Sequence, residues 1–204
     1  MAIRVKVCGI TRLEDALAAI AAGAQALGFI FHPASPRYIA PEQAQALIAQ
    51  LPPLVVTVGV FVNLSPAEIN RIAAQCRLDR VQLHGQEPYS LMAQLTRPAY
   101  RALRPQPPQE AQDLLTQPDT VLLLDAFHPE LHGGTGLTAN WVEAARLAQA
   151  KRLILAGGLT PDNVRQAVLQ VKPWAVDVNS GVESAPGIKD HAKLTALFQA
   201  LEGL

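Results

Sequence analysis

The chain reads as an α/β protein, a single (β/α)8 TIM barrel with a parallel eight-stranded core over residues 1–204. Three observations lead there. Short apolar runs alternate with amphipathic, alanine-rich stretches from one end of the sequence to the other. The runs are almost wholly apolar rather than alternating, as parallel strands buried on both faces are. Each run with its stretch takes about 25 residues, at the short end of the barrel range. A doubly wound open sheet uses the same alternation, but the chain has no GxGxxG turn, and eight strands favour closure.

The candidate strands are 3–8, 26–30, 54–60, 80–83, 99–103, 121–125, 152–155 and 175–178. Candidate helices follow them at 13–22, 41–50, 66–76, 88–95, 109–116, 140–150, 161–171 and 188–201. Pro41, Pro66 and Pro161 stand at first-turn positions, where a missing N–H costs nothing. Ser65 and Thr160 precede two of them as N-caps. Most of the other prolines fall between periodic segments and act as stops. The longest connection, 126–139, carries Gly133, Gly134 and Gly136 and reads as a mobile active-site loop. No linker, low-complexity tract or second domain is visible.

Composition narrows the function. Half of the 204 residues are hydrophobic, enough for one sizeable core. Seventeen basic and seventeen acidic residues cancel, and no basic stripe with aromatics points to nucleic acid. No apolar run approaches a membrane span, and the start of the chain shows no signal-peptide pattern. Two cysteines make no disulfide framework, which fits a reducing, cytoplasmic setting. His32, His128, His132 and His191 show no metal-ligand spacing, so no metal is expected. No obligate protein partner is evident.

Two ionisable residues end apolar runs: Cys8 after Ile3-Arg4-Val5-Lys6-Val7, and Asp125 after Val121-Leu122-Leu123-Leu124. In a barrel all strand C-termini share one face, where active sites are found. A thiol and a carboxyl there could remove a proton at one atom and deliver one at another. Taken alone, Cys8 is a buried core thiol, since free cysteines favour interiors, and Asp125 is a loop or cap carboxylate. Cys76, near a helix end with no partner motif, reads as structural. Trp141 and Trp174 read as packing residues. Lys6 shares the Cys8 side only if the strand stays regular to its end.

Two glycine segments follow the last two strands, Gly157-Gly158 before the helix at Pro161 and Ser180-Gly181 after strand eight. Backbone N–H groups beside a helix N-terminus suit an anion, and barrels often bind phosphate between loops seven and eight. The alternative is that these glycines only permit tight turns.

Taken together, these segments resemble phosphoribosylanthranilate isomerase, the tryptophan-pathway barrel enzyme. The match runs over nearly the whole chain: Lys6-Val7-Cys8-Gly9-Ile10-Thr11, Ser35-Pro36-Arg37-Tyr38, Val81-Gln82-Leu83-His84-Gly85, Leu124-Asp125, Gly133-Gly134-Thr135-Gly136 and Asn179-Ser180-Gly181-Val182-Glu183 among others. The resemblance implies a cofactor-free Amadori rearrangement of a small phosphosugar, N-(5-phosphoribosyl)anthranilate, to its ketose. It implies Cys8 as general base, Asp125 as general acid and Arg37 on the anthranilate carboxylate. It leaves His84 between ring contact and filler of the barrel mouth, and Asp177 between a substrate hydroxyl and support of the strand end. Gly157, Gly158, Ser180 and Gly181 are expected around the phosphate. One departure is Ala139-Asn140-Trp141 where the family usually shows Phe-Asp-Trp; Asn140 is still expected to cap the sixth helix. The related histidine-pathway isomerase resembles a two-aspartate arrangement, which the cysteine argues against, as it does against a broad-specificity enzyme. A silent phosphate-sugar binder is the non-enzymatic alternative.

Overall fold

In the computed structural model of the chain, residues 3–103, 121–125 and 136–204 are described, the side chains of 136–140 aside. Eight parallel strands close into a barrel in chain order: β1 (Arg4–Val7), β2 (Ala26–Ile30), β3 (Val56–Phe61), β4 (Arg80–Leu83), β5 (Ala99–Leu103), β6 (Val121–Asp125), β7 (Arg152–Ala156) and β8 (Ala175–Val178). The described helices are α1 (Leu13–Ala22), α2 (Pro41–Ile48), α3 (Pro66–Gln75), α4 (Gly136–Ala150), α5 (Val164–Val171) and α6 (His191–Ala200). No described helix is long and apolar enough to cross a membrane.

The two burial layers explain why the strands are so apolar. Ala26, Val58, Tyr100, Leu123, Ile154 and Ala175 point inward and pack against one another. Their neighbours Leu27, Val81, Leu122, Leu124, Leu153, Leu155 and Val176 point outward into the main core, shared with Ala16, Ile69, Ile72, Leu147, Val168 and Leu194 of the helices. With period-two alternation, both faces of each strand lose water and both must be apolar. Cys76 is part of this outer core, its Sγ 3.3 Å from the Pro41 carbonyl, as a structural thiol. Trp141 is buried there too. Trp174 is instead partly exposed, with the Arg4 guanidinium 4.6 Å above its ring.

Several element limits differ from the sequence reading. The segment after β4 is a 3-10 turn, Tyr89–Gln94, rather than an α-helix. The candidate helix 109–116 and loop residues 126–135 lie outside the described residues. Helix α4 starts at Gly136, so Asn140 lies within it and is not its cap. Helix α5 starts at Val164, not Pro161. Asn163 Oδ1 accepts from Thr160 N–H and Asn163 Nδ2 donates to the Gly158 carbonyl, a local turn that replaces the first helical turn. Residues 188–190 are not helical. Ile188–Lys189 is a short strand, β10, paired antiparallel with β9 (Glu183–Ala185), and Asp190 then caps α6 through Ala192 and Lys193 N–H.

Ser65 caps α3 as the sequence suggests. Its hydroxyl accepts from Glu68 N–H, and the Glu68 carboxylate reaches back to Ser65 N–H, a reciprocal capping box. Ser65→Ala is expected to cost about 1 kcal/mol, read as a lower urea midpoint with an unchanged slope.

Candidate active site

Strand alternation carries the inward row up to the C-terminal rim of the barrel. There it lines a cavity of about 370 Å³. Cys8, Arg37, His84, Asp125, Gly157, Gly158, Asp177, Ser180 and Gly181, the residues singled out from the sequence, all face this one cavity, with Gln82 and Asn179 beside them.

Cys8 is built into the barrel wall. Its N–H donates to the Val178 carbonyl of β8 at 2.8 Å, and two residues on Ile10 N–H donates to Gly28 of β2 at 3.0 Å. Only glycine fits opposite it. A Cβ on Gly28 would stand 2.6 Å from Cys8 Sγ and 3.1 Å from Lys6 Cε. The strand is regular to its end, so the Lys6 stem and the thiol share one side. Burial pushes the Cys8 thiol up; the Lys6 and Lys189 ammonium groups pull it down without overcoming burial. Nearby positive charge favours thiolate. That charge is present, and desolvation outweighs it.

Lys6 is itself buried inside the barrel. Its Nζ donates to Asp177 Oδ2 at 2.7 Å and to Gln82 Oε1 at 2.9 Å. Burial opposes its charge, but the Asp177 carboxylate overcomes this and holds the ammonium above its ordinary value. Asp177 Oδ1 is buried and meets no donor among the described residues. Such an acceptor at a cavity wall is costly unless a ligand satisfies it.

On the opposite side of Cys8, Arg37 forks onto Glu183. Nε lies 2.9 and 3.0 Å from the two carboxylate oxygens and Nη2 lies 2.7 Å from Oε2. Lys189 Nζ shares Glu183 Oε1 at 2.9 Å and also reaches Asn179 Oδ1 at 3.0 Å. Burial would raise the Glu183 carboxyl, but Arg37 and Lys189 outweigh it and hold it below the usual carboxylate range. Arg37 thereby keeps a fixed pose, with Nε and Nη2 both committed to Glu183.

Loops seven and eight meet at the far rim. Gly181 lies against loop seven so closely that a Cβ would come 1.9 Å from the Leu159 carbonyl oxygen. His84 and Asp125, ending β4 and β6, approach with Nε2 3.9 Å from Oδ2. Among the described residues, no group of three or more His, Cys, Asp or Glu side chains could hold a metal ion.

Sequence reasoning passed over Gln82, Tyr100, Glu183, Asn179 and Lys189. Gln82 left a signal, a lone amide within the apolar run of β4. Glu183 and Asn179 sat inside a quoted motif without a role. Lys189 left none, because its hairpin was read as helix.

A closed parallel barrel with ionisable groups gathered at its strand C-termini defines a (β/α)8-barrel enzyme. The family model for N-(5'-phosphoribosyl)anthranilate (PRA) isomerase matches residues 5–200. The isomerase of Geobacter sulfurreducens is 53% identical over 201 residues, covering 98% of this chain and 99% of that protein. That of Pseudomonas putida is 50% identical over 203 residues, covering 98% of each. The crystal structure of the Thermotoga maritima enzyme superposes with a TM-score of 0.91 at 43% identity, over 99% of this chain and 100% of that one. A further isomerase structure, bound to reduced 1-(o-carboxyphenylamino)-1-deoxyribulose 5-phosphate, gives a TM-score of 0.88 at 40% identity, over 99% and 100% of the two chains. The chain belongs to the N-(5'-phosphoribosyl)anthranilate isomerase family.

Lys6→Met leaves the Asp177 carboxylate buried without its cation. It is expected to cost about 3–5 kcal/mol of stability, and the double variant Lys6→Met/Asp177→Asn should recover part of that loss in denaturant unfolding.

Proposed function

We propose that Cys8 is the general base and Asp125 the general acid by which this isomerase of tryptophan biosynthesis converts N-(5'-phosphoribosyl)anthranilate to 1-(2-carboxyphenylamino)-1-deoxyribulose 5-phosphate. The observation that carries the assignment is the convergence of a thiol from β1 and a carboxyl from β6 on one cavity. Protonated Asp125 gives its proton to the ribose ring oxygen as the C1′–O bond breaks. The anilino nitrogen lone pair forms the C1′=N Schiff base. Cys8 thiolate then takes the C2′ proton, the electrons move to nitrogen, and the resulting enolamine tautomerises to the ketone. Each proton transfer is over a short distance set by rigid strand ends.

The rest of the cavity suits the remaining parts of the molecule. Arg37, held by Glu183, offers a planar guanidinium edge to the anthranilate carboxylate. Asp177 Oδ1, which meets no donor among the described residues, suits a sugar hydroxyl, and His84 lines the cavity 3.9 Å from Asp125. Gly157, Gly158, Ser180 and Gly181 offer backbone N–H groups to the phosphate. On this reading the protein acts in the cytoplasm as one catalytic domain, on a free phosphosugar, without a cofactor or a protein partner.

Cys8→Ala and Asp125→Asn are each expected to fold as the parent and lose about 10²–10⁴-fold in kcat, some 3–5 kcal/mol of barrier. Turnover of freshly generated substrate, followed by anthranilate fluorescence against an enzyme-free control, checks this; a near-parental rate in either variant removes that residue's role. A raised Cys8 means that thiolate grows only as pH climbs past the ordinary thiol range of ~8.5. The rising limb of kcat/KM, which reports the free enzyme, should therefore extend above that range and vanish in Cys8→Ala.

A further inference from the structure

The polar side chains under the cavity form one hydrogen-bonded chain. Lys6 Nζ donates to Gln82 Oε1 at 2.9 Å, and Tyr100 OH donates to the same oxygen at 3.0 Å. Gln82 Nε2 lies 2.9 Å from His84 Nδ1. His84 Nε2 in turn lies 3.9 Å from Asp125 Oδ2.

Lysine has donors only. The amide of Gln82 must therefore turn its oxygen toward Lys6, and its NH2 group is left facing His84. That group donates, so Nδ1 must accept. In a neutral ring the proton then resides on Nε2. A doubly protonated ring would set Nδ1–H against the amide N–H at 2.9 Å, two donors with no acceptor between them. Turning the amide over would relieve that contact only by aiming the NH2 group at the Lys6 ammonium.

We propose that Gln82 is a positioning residue that holds His84 neutral with its proton on Nε2, so that a donor rather than a base faces the carboxyl of Asp125. The inference rests on the assignment of Asp125 as the acid. An unconstrained imidazole is a stronger base than a carboxylate, ~6.5 against ~3.9. Beside the acid it would take the proton and leave Asp125 as a carboxylate with no proton to give. With Nδ1 committed to Gln82, the ring cannot take the carboxyl proton. Once it passes to the substrate, Nε2–H faces the carboxylate left behind, where a charge-assisted hydrogen bond can form.

Among the described residues, the charged and titratable groups around the ring compete. Asp125 of β6 and Asp177 of β8 favour imidazolium. Lys6 of β1, behind Gln82, opposes it, and Tyr100 of β5 ties the amide in place. The fixed amide decides among them, because it acts at the nitrogen itself.

The test is long-range 1H–15N correlation spectroscopy of the full chain labelled with 15N-histidine, without substrate, over ~pH 5–8, where an unperturbed histidine changes charge. The signals of residue 84 are assigned by their loss in His84→Asn. The expected result is protonated Nε2 and bare Nδ1 throughout. Protonated Nδ1, or an ordinary titration, overturns the proposal without any variant at Gln82. Gln82→Glu supplies an acceptor to Nδ1–H and should convert the ring to imidazolium at neutral pH, with kcat falling on the order of 10–100-fold, part of what a general acid supplies, and KM changing less. An unchanged ring state in folded Gln82→Glu also overturns it. Parental turnover in Asp125→Asn would remove the acid assignment while leaving the spectrum of His84 as it is, so the two failures are distinct.

Discussion

The ion pair between Lys6 and Asp177 is the interaction on which the rest of the site depends. The two residues are direct register partners on β1 and β8, the strands whose pairing closes the barrel. A lone buried ammonium would be strongly unfavourable, and so would a lone buried carboxylate. Together, with Gln82 and Tyr100 completing the hydrogen bonds, they form a charged layer above the apolar interior of Val58, Leu123, Ile154 and Ala175. Three residues of the cavity stand on this layer. Cys8 follows Lys6 by one inward step, His84 follows Gln82 by one, and Asn179 follows Asp177 by one.

The layer also governs charge at Cys8. Burial alone would make Cys8 a poor base, and it does raise the thiol. The lysines on either side moderate the penalty, and each lysine is compensated by a carboxylate, Lys6 by Asp177 and Lys189 by Glu183. Positive charge is thus brought close to sulfur without leaving an unpaired cation in the barrel. A thiol that ionises late is compatible with catalysis because thiolate is intrinsically very nucleophilic and basic once formed. The same desolvation strengthens its interaction with an incoming substrate.

Glu183 extends this arrangement to Arg37. It belongs to a short hairpin that the chain inserts between β8 and α6, and its carboxylate is shared by Arg37 from the β2 loop and Lys189 from the hairpin itself. Asp15 of α1 fastens the hairpin, accepting from Lys189 N–H at 3.0 Å and pairing with His191 at 2.8 Å. The pose of Arg37 therefore depends on contacts made outside the cavity lining.

Local sequence determined most of the architecture. The nearly unbroken apolar runs marked all eight strands because both strand faces lose water, and the proline and serine signals at 65–66 marked a helix start because the cap is made by neighbours in the chain. The end-of-strand positions of Cys8 and Asp125 were legible for the same reason, and the family motifs named the chemistry. Where competing local bonds existed, the reading slipped, as at Thr160 to Asn163, where a side-chain amide accepts from Thr160 N–H and donates to the Gly158 carbonyl ahead of the helix. Tertiary structure alone decided what surrounds the reactive atoms. That Lys6 meets Asp177, that Gln82 meets Lys6, and that Glu183 meets Arg37 follow from barrel closure, which brings residues 171, 76 and 146 positions apart into hydrogen-bonding distance. No local pattern encodes such partners, because charge, burial and hydrogen bonding at these atoms exist only once the first strand has paired with the last.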